Sequence, residues 1–367
     1  MQMVNQPRLF DLAGRPTTRA VARAVREAGV GDLPGGVRRG DNTVYQEIVC
    51  RSALNRVEGM PFRWTLNPYR GCTHGCHYCF ARRYQSQLEL GAGDDFSSVV
   101  LVKSNFPDVL ERELSRRPLD GQMVALGTAT DPYQPIEGRH RLTRRTLSVL
   151  IPHATPVGLI TKGTLVVRDT DLLVELSRRT RCTVTFSLPT VDVDAWRSLE
   201  PGTADPLQRL RALRRLRDAG VDAGVLMAPI VPGISSKPAG IERTLKAIAD
   251  SGASHVGALL LHLEGDTRRH FLRFLSREYP QLVAGYGRLY AGKHASASYA
   301  TRFRTVMGAL MAKYGLESKD RSGPEQRTSR PSISDRSRPH QYGLGFPESL
   351  RPFPAARGYA APSAGGC

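Results

Sequence analysis

The sequence predicts an α/β fold, on two observations. Between about residues 61 and 265, short apolar segments alternate with amphipathic helical stretches, the pattern of repeated strand–helix units. Segments such as Gly224-Val225-Leu226-Met227-Ala228 and Gly257-Ala258-Leu259-Leu260-Leu261 are apolar throughout, as strands of a parallel sheet buried on both faces must be. Such units close into a barrel or spread into an open sheet, and their period does not decide which. Neither G-x-G-x-x-G nor G-x-x-x-x-G-K-[ST] is present to favour a nucleotide-binding open sheet.

In chain order, Thr17 to Ala28 carries Val21, Ala24, Val25 and Ala28 at helical spacing, which predicts a short helix packed on the main domain. Leu33 to Gly40 reads as a loop. Strands are expected at 64–70, 99–103, 122–128, 156–161, 182–188, 222–229 and 255–262, with helices at 80–90, 106–117, 141–152, 169–180, 205–219 and 239–251. Asp169 and Asp205 stand where N-caps belong, and Gly220 and Gly252 end their helices. Arg209, Arg211, Arg214, Arg215 and Arg217 alternate with Leu210, Leu213 and Leu216, which reads as the solvated outer face of one helix. From about Glu317 the chain is dense in Ser, Pro, Gly and Arg and cannot bury enough apolar surface to fold alone, so a disordered tail is expected. The chain thus divides into an N-terminal extension (1–60), a core (61–316) and that tail (317–367).

Fifty-two basic residues against 34 acidic ones give a net charge of +18, which keeps nucleic acid among the partners to consider. Only seven of the basic residues are Lys, and an Arg excess also follows from GC-rich codon usage without any binding role. Counted by region, the excess is +3 in residues 1–60, +12 in 61–316 and +3 in 317–367, so most of it lies on the core. No apolar run approaches the roughly 18 residues of a membrane span, and the N-terminus lacks an apolar signal segment, which points to a cytosolic protein.

Three of the six cysteines fall within eight residues, in Asn67-Pro68-Tyr69-Arg70-Gly71-Cys72-Thr73-His74-Gly75-Cys76-His77-Tyr78-Cys79, between the first strand and the first helix. Thiolates spaced C-x3-C-x2-C can hold one face of an iron–sulfur cluster and leave one iron open to a chelating ligand. A structural zinc, with His74 or His77 as fourth ligand, is the alternative. Cys50 and Cys182 are isolated and read as buried small hydrophobes.

The cysteine spacing, with Tyr78 before the last thiol, resembles the signature of the radical S-adenosylmethionine (SAM) superfamily. Gly127-Thr128-Ala129-Thr130-Asp131-Pro132-Tyr133-Gln134-Pro135-Ile136-Glu137, Ser187-Leu188-Pro189-Thr190 and Met227-Ala228-Pro229-Ile230-Val231-Pro232-Gly233-Ile234 extend the likeness to the spore photoproduct lyase-like, or "DNA repair photolyase", group. The resemblance, over about residues 60–265, implies a partial (β/α)6 TIM-type barrel with 99–103 as an extra strand. It implies a [4Fe-4S] cluster on Cys72, Cys76 and Cys79, with SAM chelating the open iron and cleaved to a 5′-deoxyadenosyl radical. Thr128, Thr130 or Asp131 would accept the methionyl amino group, Lys162 and Ser187 would take the carboxylate, and Tyr78 and Met227 to Pro229 would line the adenine pocket. An electron donor such as flavodoxin or ferredoxin is implied as a partner. Glu137 and Glu264, after strands, suit either a turn or a polar site.

The lyase uses a further cysteine to return hydrogen to its product, and no cysteine lies here between Cys79 and Cys182. The lyase reaction is therefore not carried over. Three readings follow: a radical SAM enzyme acting on nucleic acid, one acting on a peptide, protein or small metabolite, and a non-enzymatic, zinc-stapled nucleic-acid-binding protein. Arg70, Arg82 and Arg83, beside the cysteine loop, are the basic residues whose placement bears on that choice.

Overall fold

Six of the apolar segments become neighbouring parallel strands of one sheet in the computed structural model, which describes residues 14–28, 37–38, 43–88, 93 and 95–317. In chain order the strands are β1 (Val37–Arg38), β2 (Val44–Ile48), β3 (Leu54–Arg56), β4 (Trp64–Leu66), β5 (Tyr69–Arg70), β6 (Val99–Lys103), β7 (Val124–Leu126), β8 (Val157–Thr161), β9 (Cys182–Ser187), β10 (Asp222–Ile230) and β11 (Val256–Leu260). β4, β7, β8, β9, β10 and β11 stand side by side in that order and pair in parallel. With a helix in each crossover, this is the partial (β/α)6 barrel. β3 pairs antiparallel with β4 at one edge. Leu66, Val124, Leu126, Val157, Leu159, Val184, Phe186 and Val225 are buried in the core between strands and helices.

The expected 64–70 strand breaks in two. Pro68 has no N–H for the ladder and restricts Asn67 before it, so the chain leaves the barrel after Leu66 and joins a second sheet as β5. That sheet has the order β1-β2-β6-β5 and contains the extra strand, 99–103. Val21 and Val25 of the first helix, Thr18–Ala28, pack on it against Val44, Ile48, Val99 and Leu101. Residues 44–48 and 54–56 were not expected as strands. Within the expected loop at 33–40, Val37 and Arg38 pair with Tyr45 and Val44, and the other residues lie outside the described ones. Residues 318–367, most of the expected tail, also lie outside them.

The crossover helices Phe106–Arg116, Leu142–Leu150, Thr170–Arg179, Pro206–Asp218 and Pro238–Asp250 match their expected spans within a residue or two. The exception is Phe80–Leu88, which winds as a 3₁₀ helix. Asp205 caps as expected, accepting from the N–H groups of Leu207 (2.8 Å) and Gln208 (3.3 Å). Asp169 does not. Its buried carboxylate instead receives Tyr133, Arg144 and Arg168, because those donors converge on it from three elements. Among the described residues no helix is long and apolar enough to cross a membrane.

Candidate active site

The cysteine loop starts at Gly71, whose φ of +82° and whose position leave no room for a side chain: a Cβ there would lie 2.2 Å from the Val99 carbonyl oxygen. Beyond it, Cys72, Cys76, Cys79 and Tyr78 line one cavity of about 380 Å³ together with the strand ends that carry Thr128, Thr130, Asp131, Lys162 and Ser187. Burial raises the pKa of both the Cys76 and the Cys79 thiol. Such thiols become thiolates when iron binds them, and three of them on one cavity wall suit a cluster that keeps an open iron. Arg82 belongs to the loop itself: it is buried and donates to the carbonyls of Gly75 (2.6 Å) and Cys76 (2.9 Å), with its guanidinium 5.0 Å from the Phe96 ring centre.

The T-D-P-Y-Q-P segment faces that loop. Thr130 Oγ1 donates to the Gly71 carbonyl at 2.6 Å. Asp131 sits 3.3 Å from His74 Nδ1 and accepts from Thr161 Oγ1 (2.6 Å), the Lys162 N–H (2.6 Å) and the Tyr133 N–H (2.8 Å). Burial alone would raise the Asp131 pKa, but His74 and these donors outweigh it and hold the carboxyl at about 2. Thr130 and Asp131, expected on the SAM amino group, thus already have protein partners. Thr128 is half-buried on the cavity wall and accepts from Asn67 Nδ2 at 3.3 Å.

Lys162 and Ser187, expected on one carboxylate, are brought together: Lys162 Nζ donates to Ser187 Oγ at 2.7 Å, and Ser187 donates to the Ala228 carbonyl at 3.1 Å. Behind them lies Glu200, which the sequence reading missed. One of its carboxylate oxygens takes the Tyr78 hydroxyl and stands 3.8 Å from Lys162 Nζ; the other takes Arg209 Nη2 at 2.6 Å. Burial would raise the Glu200 pKa, yet Arg209 and Lys162 beside it hold the carboxyl below its ordinary range. Arg209 is 0% exposed, contrary to the reading of its helix as solvated at every Arg, and it also donates to the Ser187 carbonyl at 3.0 Å. Its signal was there to read. Arg209 precedes Leu213 by four and Leu216 by seven residues, on the apolar stripe, whereas Arg211, Arg214 and Arg215 face water.

Met227 does not reach the cavity. The pleat of β10 sends it into the core, while its neighbours Leu226 and Ala228, with Pro229, line the wall. The remaining wall is mostly apolar, including Met60 (47% exposed), Phe80 (43%), Leu259 and Leu260. No Arg lines the cavity among the described residues, and Lys162, His74 and His262 supply its only basic side chains. Arg83 stands on the rim side of Phe80, its guanidinium 5.9 Å from that ring centre, and pairs with Glu264 at 3.1 Å. Glu264 also meets His262 (3.2 Å) and Lys293 (3.6 Å), so it is a polar rim group, whereas buried Glu137 anchors Tyr69, Arg168 and the Thr143 N–H. Of the histidines considered for zinc, His74 lies beside Asp131 and Cys72, and His77 meets His270 (3.1 Å) and the Phe274 ring. Cys50 and Cys182, the other cysteines among the described residues, lie outside the cavity.

Comparison with known proteins gives the family and the fold. The family model of the radical SAM superfamily matches residues 66–248. An uncharacterised protein of Mycobacterium tuberculosis is 39% identical over 310 residues, 81% of this chain and 91% of that protein. A radical SAM Nα-GlyT isomerase of Pseudomonas phage M6 is 25% identical over 194 residues, 52% of this chain and 37% of the phage protein. Among solved structures, spore photoproduct lyase with bound AdoMet and dinucleoside spore photoproduct superposes with a TM-score of 0.59 at 15% identity, over 76% of this chain and 81% of that one. The non-enzymatic zinc reading is thereby set aside, and the chain belongs to the radical SAM superfamily, as an enzyme whose fold is that of spore photoproduct lyase.

Proposed function

We propose that this enzyme holds a [4Fe-4S] cluster on Cys72, Cys76 and Cys79, binds SAM, and acts on a base of a nucleic acid, in the cytoplasm, with a small redox protein such as flavodoxin or ferredoxin as reductant. The cluster, when bound and reduced, supplies the electron that cleaves SAM to a 5′-deoxyadenosyl radical. Lys162, braced by Glu200, receives the SAM carboxylate beside Ser187. Thr128 is the cavity hydroxyl that can accept from the amino group, and Tyr78, Ala228 and Pro229 offer flat or apolar surface to the adenine. Lys162→Met is expected to weaken SAM binding about 10- to 100-fold, the loss of one charge-assisted contact. Equilibrium binding to the reconstituted protein measures it, and a dissociation constant within twofold of the parent's would remove Lys162 from this role.

The distribution of charge around the cavity carries the substrate reading. An anionic metabolite swallowed whole needs cations around it, and beyond Lys162 no Lys or Arg lines the wall. A nucleobase is flat and uncharged, suits a wall of Met60, Phe80 and Leu259, and leaves its phosphates outside, where Arg83 and Lys293 would exchange Glu264 for them. Extrusion of that base costs a few kcal/mol, offset by stacking and phosphate contacts. The fold likeness to a lyase solved with a dinucleoside ligand supports the same reading.

The test is binding of single- and double-stranded oligonucleotides across a salt series, followed by SAM cleavage with and without them. Each phosphate neutralised contributes about −0.9 to the slope of log affinity against log salt on duplex, and about −0.7 on single strands. A slope of a few units, with cleavage stimulated by one of the oligonucleotides, is expected. A flat response with no stimulation would transfer the substrate to the peptide or metabolite class.

A further inference from the structure

Gln134 is 0% exposed and does not line the cavity, yet every polar group of its side chain is spent on the cysteine loop and its neighbour. Its Nε2 donates to the Gly71 carbonyl at 3.3 Å and to Thr130 Oγ1 at 3.0 Å, and its Oε1 accepts the Thr73 N–H at 3.2 Å. Thr130 donates to the same Gly71 carbonyl. From the opposite side the 199–202 turn grips the loop: the His77 N–H reaches the Leu199 carbonyl and the Gly202 N–H reaches the His74 carbonyl, both at 3.1 Å. Gly202 packs so close that a Cβ on it would lie 2.3 Å from the Thr73 carbonyl oxygen.

We infer that Gln134, with Thr130, is a positioning lock that sets Gly71 to His74 in the metal-free chain and thereby slows the loss of iron, and that neither residue is a ligand of SAM. The inference rests on the cluster assignment proposed above. Its physical basis is that a buried amide is stable only with its donors and acceptor all satisfied. Those partners exist here only while the loop keeps its shape. A loop ordered in advance spares the metal the entropy of ordering it, and a loop freed from Gln134 visits open forms from which a chelator takes iron.

The test uses the full chain, apo and reconstituted. In the apoprotein, Gln134→Ala is expected to speed hydrogen exchange over the Cys72–His74 segment about tenfold, with exchange in β8–β10 unchanged. In the reconstituted protein a chelator is expected to strip iron about tenfold faster, while SAM affinity of the iron-loaded fraction stays within twofold. Thr130→Val, nearly the same shape but without the donor to Gly71 and the acceptor for Gln134, is expected to shift both rates in the same direction by a smaller factor, and it carries the test if Gln134→Ala does not fold. Unchanged exchange and unchanged iron loss would overturn the lock. A fall in SAM affinity with unchanged exchange would overturn it too, by returning the segment to SAM binding. If the parent chain takes up no iron, the cluster assignment fails, and the exchange rates of the apoprotein still decide whether the lock exists.

Discussion

Cys76→Ala is expected to abolish iron retention and reductive SAM cleavage in reconstituted protein while leaving the chain folded. With two thiols left on the cavity wall, a cluster that needs three protein thiolates loses its hold. Packing changes little. Cys76 sits among Tyr78, Leu199 and Val231 as a small hydrophobe, and trading its sulfur for hydrogen costs about 1 kcal/mol of burial. Iron content, 5′-deoxyadenosine formation and a thermal melt measure the three quantities separately. A variant with the parent's iron content that still cleaves SAM would sink the cluster assignment.

Glu200→Gln is expected to lower the stability of the apoprotein by about 3–5 kcal/mol, because it leaves Arg209 and Lys162 buried with no carboxylate between them. That is a large share of the roughly 5–15 kcal/mol that holds a domain folded. Removing both charges of the tighter pair, in Glu200→Leu/Arg209→Met, is expected to recover much of the loss, since an apolar pair of similar volume replaces a desolvated ionic one. Urea unfolding of Glu200→Gln and of the double variant compares the two losses. A single variant within about 1 kcal/mol of the parent would show that water or a nearby acceptor already compensates the buried charges.

The contrast between Glu200 and the three cysteines shows how far residues can be read without coordinates. The cysteines announce themselves because one short spacing sets their chemistry. The barrel strands do so because a strand covered on both faces must be apolar throughout. Glu200 gives no such sign: an acid before Pro201 and Gly202 looks like any polar turn, and only the folding of β8, β9 and the helix at 206–218 around it turns it into a buried counter-ion. The same holds for Gln134, whose importance lies in contacts to Gly71 and Thr73 some sixty residues away. β2 escaped because Gln46 and Glu47 interrupt its apolar residues and its parallel partner β6 is distant in the chain, and β3 because it is a three-residue edge strand with Asn55 and Arg56 exposed.

The break at Asn67-Pro68 has a mechanical consequence. β4 is laced into the barrel and β5 into the neighbouring sheet, so the cysteine loop hangs from one sheet while Lys162 and Ser187 project from the other. Asn67 is the rivet: its side chain ties to Ala129 and Thr128 on the barrel side, and its carbonyl takes Lys103 from β6. The gap between the three cysteines and the Lys162–Ser187 pair is therefore gauged by the alignment of two sheets rather than by any one loop. An extra residue inserted at 67–68, harmless in most surface turns, would turn Tyr69 and Arg70 to opposite faces and carry Cys72 out of gauge.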